Sequence, residues 1–268
     1  MISDTKRTIK EKVELFMKLF QGLQNVYGTY GTTNGRYWQV KEKVTETIIL
    51  DHFTGKQSYG FYPLVGDRTK VGVADFDHHN PEPPMNFIQR AKHYGINAYL
   101  EKSKSKGYHV WIFCSEKGVP ARKLRKVMKY ILDEIDSPDT EIFPKQDSII
   151  GDNTYGNFIN APFFGKLVPE GKTIFIHEDN SLKPYTDQWE FLETIKKNNE
   201  EALDSIIDLN NLEEKKQKNR NYTAQDTPPK GNNYALPICI RRILNEGVTF
   251  DQRIACFRIA VQLKRIGL

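Results

Sequence analysis

Long apolar runs are missing from this chain: no stretch in its 268 residues approaches the roughly 20 apolar positions that span a bilayer. An integral membrane protein is not expected. The opening Met1 to Arg7 lacks the apolar core and small-residue cleavage site of an export signal, so the expected location is the cytoplasm. Cysteine is scarce. Cys114, Cys239 and Cys256 are odd in number and far apart, which excludes a disulfide framework and a paired-cysteine zinc site and leaves reduced, packing thiols. A strong excess of one charge is also absent, since 39 Lys and Arg face 34 Asp and Glu for a net charge of +5. No internal repeat is present.

What charge there is lies unevenly. Nine basic residues fall between Lys102 and Lys129, among them Lys104, Lys106, Arg122, Lys123 and Lys126, opposed by Glu101 and Glu116. Such a cluster suits either a polyanion or a solvated helix face.

The periodicities divide the chain. Ile9, Val13, Phe16, Met17, Phe20 and Leu23 predict an amphipathic helix over Thr5 to Leu23. After a turn-rich Tyr27 to Arg36, strands are predicted over Tyr37 to Val40, Thr45 to Leu50 and Tyr59 to Leu64 from their β-branched and aromatic content. The next segment reads strand (Val71 to Phe76), helix (Pro84 to Tyr94), strand (Asn97 to Glu101), strand (Tyr108 to Phe113), helix (Val119 to Ile135) and strand (Thr140 to Phe143). That βαββαβ order is ferredoxin-like, the pattern of RNA-recognition (RRM-like) modules. It places strands one and three side by side, with strand four flanking strand one. Tyr155 to Lys166 reads as a lining segment, Thr173 to Ile176 as a strand and Gln188 to Ile195 as a helix. A linker is expected over 213–233 and a small helical unit over 234–268, whose end at Leu268 shows no natural stop and suggests a longer protein. The expected class is therefore α/β (α+β), an N-terminal α/β module with an RRM-like module and a small C-terminal helical unit.

Side chains alternate across a strand, so Asp75 and Asp77 share one face with Phe76 turned to the helices. The same alternation puts His109 and Trp111 opposite Val110 and Ile112, and Glu141 opposite Ile142. Asp75, Asp77, His109 and Glu141 are thus expected together on an open sheet face. Paired carboxylates bind hard divalent cations, and two such ions suit phosphoryl transfer. The turn Ser103 to Gly107 supplies hydroxyls and ammonium groups for a triphosphate. His78 and His79 have no partner with ligand spacing, which argues against a zinc or iron site. Asp147 competes with Glu141 as third carboxylate but lies past Pro144 in an expected loop.

These residues resemble the archaeo-eukaryotic primase (AEP) superfamily. Asp75 and Asp77 match its paired aspartates, Ser105-Lys106-Gly107-Tyr108-His109 its Ser-to-His motif, and Glu141 its acidic third motif, more commonly aspartate. The phrases KSKGYHVWIF, TEIFPKQD and YGNFINAPFFGKLVP look like the primase-polymerases of CRISPR adaptation loci and TOTE conflict systems, over roughly residues 14 to 268. The resemblance implies a catalytic domain over 1–212 and primer synthesis and extension from NTPs or dNTPs on a single-stranded DNA template with Mn²⁺ or Mg²⁺, with CRISPR adaptation proteins as further partners. It implies metal binding by Asp75, Asp77 and Glu141 and triphosphate binding by Ser105, Lys106 and His109. Lys145, Asn160 and Lys166 are assigned nucleotide or template contact, and Arg122, Lys123 and Lys126 template phosphates or a solvated face. The sugar-selecting side chain stays open among Tyr59, Tyr155 and Phe163. Two other classes compete. A polymerase-beta-like nucleotidyltransferase requires a Gly-Ser helix start upstream of the aspartates, which is missing, and a non-catalytic RRM-like module would read bases with aromatics such as Trp111.

Overall fold

The computed structural model describes residues 6–31, 35–149, 154–179 and 181–212, together with positions 256, 259 and 260. Helix α1 (Ile9–Leu19) starts at a capping box. The Thr8 hydroxyl accepts from the Glu11 N–H, and the Thr8 N–H donates to the Glu11 carboxylate. Val13, Phe16 and Leu19 form its buried stripe. The helix stops short of the expected Leu23, because Phe20 already caps it. Gly22 then passes so near the Tyr62 carbonyl that a Cβ would sit 1.8 Å from the oxygen.

Strand β1 (Tyr27–Tyr30) forms where turns were expected and pairs antiparallel with β2 (Tyr37–Val40), Tyr30 opposite Tyr37. The strand expected over Thr45 to Leu50 is instead a helix, α2 (Glu46–Thr54). Its β-branched residues favour a strand only weakly. Burial of Ile49 and His52 three positions apart, with Gly55 left-handed at the C-terminus (φ 77°), decides for the helix. Pro63 cannot donate to a ladder, so the strand expected over Tyr59 to Leu64 splits into β3 (Gly60–Phe61) and β4 (Leu64–Val65). Strand β5 (Arg68–Thr69) pairs with β4.

Then follow β6 (Val71–Phe76), α3 (Glu82–His93), β7 (Tyr99–Lys102), β8 (Tyr108–Phe113), the short β9 (Val119–Pro120), α4 (Ala121–Glu134) and β10 (Glu141–Phe143). The antiparallel sheet order is β10-β6-β8-β7, the expected ferredoxin-like arrangement, and the later β12 (Ile174–Phe175) extends its β7 edge. Strand β11 (Ile159–Asn160), within the expected lining segment, completes a second sheet of order β11-β3-β1-β2, while β9 joins β4 and β5 in a third. Asp187 caps α5 (Gln188–Thr194) and Asn199 caps α6 (Glu200–Leu209), a helix not anticipated from the sequence. The expected linker and nearly all of the expected C-terminal unit lie outside the described residues. Residues 6–212 fall within a compact unit spanning Met1–Glu213.

Helices α3 and α4 cover one face of the ferredoxin-like sheet. A Cβ on Gly72 would meet Met128 and Leu124, and Phe76 packs edge-on to Phe87. The other face is not open as expected. Phe20 and Phe61 lie 5.4 Å and 6.2 Å from the Trp111 ring and bury it, and Phe113 stacks beside it. Fully burying an apolar side chain of this size contributes about 1.5–3 kcal/mol, so the aromatic layer locks the N-terminal sheet onto this face. Only its end, around Asp75, Asp77 and Glu141, is left as a cleft.

Candidate active site

Register lines up four ionisable residues across the sheet. Glu141 pairs with Asp75, Asp75 with His109, and His109 with Glu101. Side-chain exposure falls along this row from 55% at Glu141 and 22% at Asp75 to 7% at His109 and 1% at Glu101. The row therefore runs from solvent into the core. His109 Nε2 lies 3.5 Å from Asp75 Oδ1, and Nδ1 lies 2.8 Å from Glu101 Oε2. The Trp111 indole donates to the same Glu101 oxygen at 2.5 Å. Burial opposes a charge on His109, but the Glu101 and Asp75 carboxylates outweigh it and raise the imidazole to about 10.

The loop between β7 and β8 is closed by a Ser103 N–H to Gly107 carbonyl bond of 3.1 Å. A Cβ on Gly107 would lie 1.9 Å from the Phe76 carbonyl oxygen, so only glycine lets the loop lie against the strand end that carries Asp77. Lys104 stands 4.2 Å from the ring centres of both Tyr30 and Tyr37 and donates to the Tyr37 hydroxyl. Burial lowers its ammonium to about 8. This contact pins the loop to the β1–β2 hairpin.

Facing the row, Tyr37, Tyr62, Phe158 and Asn160 close a cleft of about 510 Å³ that also contains Asp75, Asp77, His109 and Glu141. Phe158 lies over Gly28 and Gly60, cross-strand partners where a Cβ would come within 2.5 Å of its ring. Lys145 pairs with Glu141 at 2.8 Å, and the buried Asn160 Oδ1 has no hydrogen-bond partner among the described residues. Among the described residues no three His, Cys, Asp or Glu side chains form a ready-made metal cage. The donor set is nevertheless the right kind for Mg²⁺ or Mn²⁺. Such ions are held by one or two carboxylates, with phosphate and water completing the shell.

The domain model described as the archaeo-eukaryotic primase domain of the TOTE conflict system matches residues 32–206, a span that contains every residue of this cleft. The chain belongs to that family. Of the two settings suggested by resemblance, the match names the TOTE system. No curated protein matches this primase domain. Solved structures similar to it include the polymerase domain of Mycobacterium tuberculosis Ligase D in complex with DNA, at 11% identity over 75% of this chain and 85% of that one, with a TM-score of 0.40. Primase RepB' is similar at 12% identity over 76% of this chain and 65% of that one (TM-score 0.35). Its catalytic domain with initiator DNA is similar at 11% over 78% and 100% (TM-score 0.34). Likeness of this size transfers no residue's role.

Within the primase domain, Asp75, Asp77, Glu141, Ser105, His109, Lys145 and Asn160 line the one cleft. Lys106 is exposed and does not line it; Lys104 does. Asp147 pairs with Arg125 instead, which leaves Glu141 as the carboxylate beside Asp75. Lys166 is exposed, with its backbone against Gly55 beyond α2. Arg122, Lys123 and Lys126 ride on α4, across the sheet from the carboxylates, and the Lys123 ammonium pairs with Glu200 and Asp204. Tyr59 and Phe163 are buried and outside the cleft, whereas Tyr155 packs 6.1 Å from Tyr62. Glu101, Tyr37 and Tyr62 were not foreseen as site residues, whereas Lys104 lies in the turn expected to hold a triphosphate and Phe158 in the expected lining segment. Strand parity was the available signal for Glu101, since Leu100 turns to the helices and Glu101 must turn to His109.

Proposed function

We propose that this chain is a template-dependent primase-polymerase that synthesises and extends primers from NTPs or dNTPs on single-stranded DNA. The observation that carries the reading is the row Glu141–Asp75–His109 at the mouth of a cleft of about 510 Å³, with Asp77 beside it. Asp75, Asp77 and Glu141 would hold the divalent ions, Mn²⁺ or Mg²⁺. Bound there, these ions supply charge stabilisation and a lowered hydroxyl pKa for in-line attack at the α-phosphorus.

The residues of the chain divide the remaining work. His109 and Lys104, with the Ser103 and Ser105 hydroxyls, orient the triphosphate and offset its charge. Lys106 sits at the exposed loop tip, where it screens the outer phosphates as the nucleotide enters. Tyr37 and Phe158, 5.8 Å apart and tilted by 54° to each other, offer aromatic faces for the base. Asn160 offers an acceptor already stripped of water, which a sugar hydroxyl or base amino group would satisfy, and Lys145 keeps Glu141 aimed at the mouth. A non-catalytic base-reading module is disfavoured by Trp111, which is fully buried and cannot stack on a nucleobase.

Purified protein given a single-stranded DNA template, nucleotides and Mn²⁺ is expected to make or extend primers. The Asp75→Ala, Asp77→Ala double variant should lose that synthesis by at least about 100-fold while keeping its thermal unfolding midpoint, the order expected when groups stabilising transferring phosphate are removed. Synthesis unchanged in the double variant would sink the mechanism.

A further inference from the structure

A carboxylate buried to 1% side-chain exposure is costly unless it is paired, and Glu101 is paired twice through one oxygen. Both donors come from β8, two residues apart on the same face: His109 Nδ1 at 2.8 Å and Trp111 Nε1 at 2.5 Å. Trp111 is itself fixed between Phe20, Phe61 and Phe113. The position of the carboxylate is therefore set by the aromatic layer that joins the N-terminal sheet to the ferredoxin-like sheet.

The consequence falls on His109. With Nδ1–H donated to Glu101, the ring cannot flip, and Nε2 is the nitrogen presented toward Asp75 and the cleft. Without that acceptor the imidazole would be free to exchange its two nitrogens or to turn its carbon edge to the ligand.

Resting on the reading of the cleft as a nucleoside triphosphate site, we propose that Glu101 is a positioning residue that fixes the ring of His109 with Nε2 toward the triphosphate. Trp111 acts with it as a strut, and through Trp111 the packing of Phe20 and Phe61 sets the geometry at the phosphates. Glu101 touches no substrate; it acts through His109.

The test is a double-mutant cycle with Glu101→Gln and His109→Ala. The glutamine keeps the volume and an acceptor for the Trp111 indole, so folding is preserved, but a neutral amide that can also turn its N–H group toward Nδ1 no longer holds the ring in one orientation. Glu101→Gln alone is expected to raise the nucleotide KM by about 10-fold to 100-fold, the usual cost of losing a group that orients a functional histidine, with kcat changed far less. In the His109→Ala background the same substitution should change KM by less than twofold. Side-chain ¹⁵N spectra of the metal-free protein should show His109 Nδ1 protonated and hydrogen-bonded in the wild type and moved in Glu101→Gln. An equal KM penalty with and without His109, or an unmoved Nδ1 signal with an unchanged KM, overturns the proposal. If His109→Ala itself leaves KM for nucleotide unaltered while the Nδ1 signal still depends on Glu101, the positioning bond stands but the triphosphate reading of the cleft fails.

Discussion

His52 is a buried histidine with no carboxylate beside it among the described residues. Its Nδ1 accepts from the Tyr59 N–H at 2.9 Å, so Nε2 carries the proton and donates to the Pro162 carbonyl at 2.7 Å. Burial lowers its pKa from 6.5 to about 4, against the smaller raising effect of the Pro162 bond. The neutral ring therefore stabilises the fold fully above pH 6.5. As pH falls from 6.5 towards 4 the unfolded chain takes up this proton first, and about 3 kcal/mol of stability is lost. Urea unfolding at pH 7 and pH 5 should show that decline, and His52→Gln should flatten it; an equal slope in the variant would place the proton uptake elsewhere. The contrast with His109 shows how far single residues can be read from sequence. Strand parity brought Asp75, His109 and Glu141 together, because a two-residue period fixes a face. Whether a histidine is held neutral or charged depends on what packs over it, and Pro162 stands 110 residues from His52. Glu101, eight residues from His109, was within reach of strand parity but figured only as a charge opposing the basic cluster.

Elements were readable where period and length agreed. Val71–Phe76 and Tyr108–Phe113 form over the expected residues, since each is a β-rich run bounded by turn signals. Glu46–Thr54 misled because its Thr and Ile residues carry strand propensity, while what decides, His52 against Phe16 and Tyr59 and the full burial of Ile49, is tertiary. Helix Glu200–Leu209 had its signal in the Asn199 cap and acidic first turn. At this scale the tightest fit is the β7–β8 loop against β6. Gly107→Ala would place a methyl 1.9 Å from the Phe76 carbonyl, a backbone atom that cannot rotate away. The loop and the end of β6 must then part, at a cost of about 1–3 kcal/mol for overpacking. A lower unfolding midpoint together with weakened nucleotide binding is expected. A variant that binds nucleotide normally would show that the loop's approach to Asp77 is not needed for the site.

At the scale of the molecule, every residue assigned to the cleft, from Tyr37 to Asn160, lies within the compact unit Met1–Glu213. Three parts of that unit meet at the site: the β1–β2 hairpin through Tyr37, the ferredoxin-like sheet through Asp75 and His109, and the segment of Phe158 and Asn160 that returns to β3. No helix among the described residues is long and apolar enough to cross a membrane. A fragment ending at Glu213 is accordingly expected to fold cooperatively and to bind a fluorescent nucleoside triphosphate with Mn²⁺ to within about threefold of the full chain, a difference below 1 kcal/mol. Fluorescence anisotropy on the two proteins decides it. A fragment that folds but loses nucleotide binding would mean that residues beyond Glu213 complete the cleft. Retained binding would locate the whole nucleotide site in the unit built here and leave the following residues free for another task, with primer initiation the first to assay.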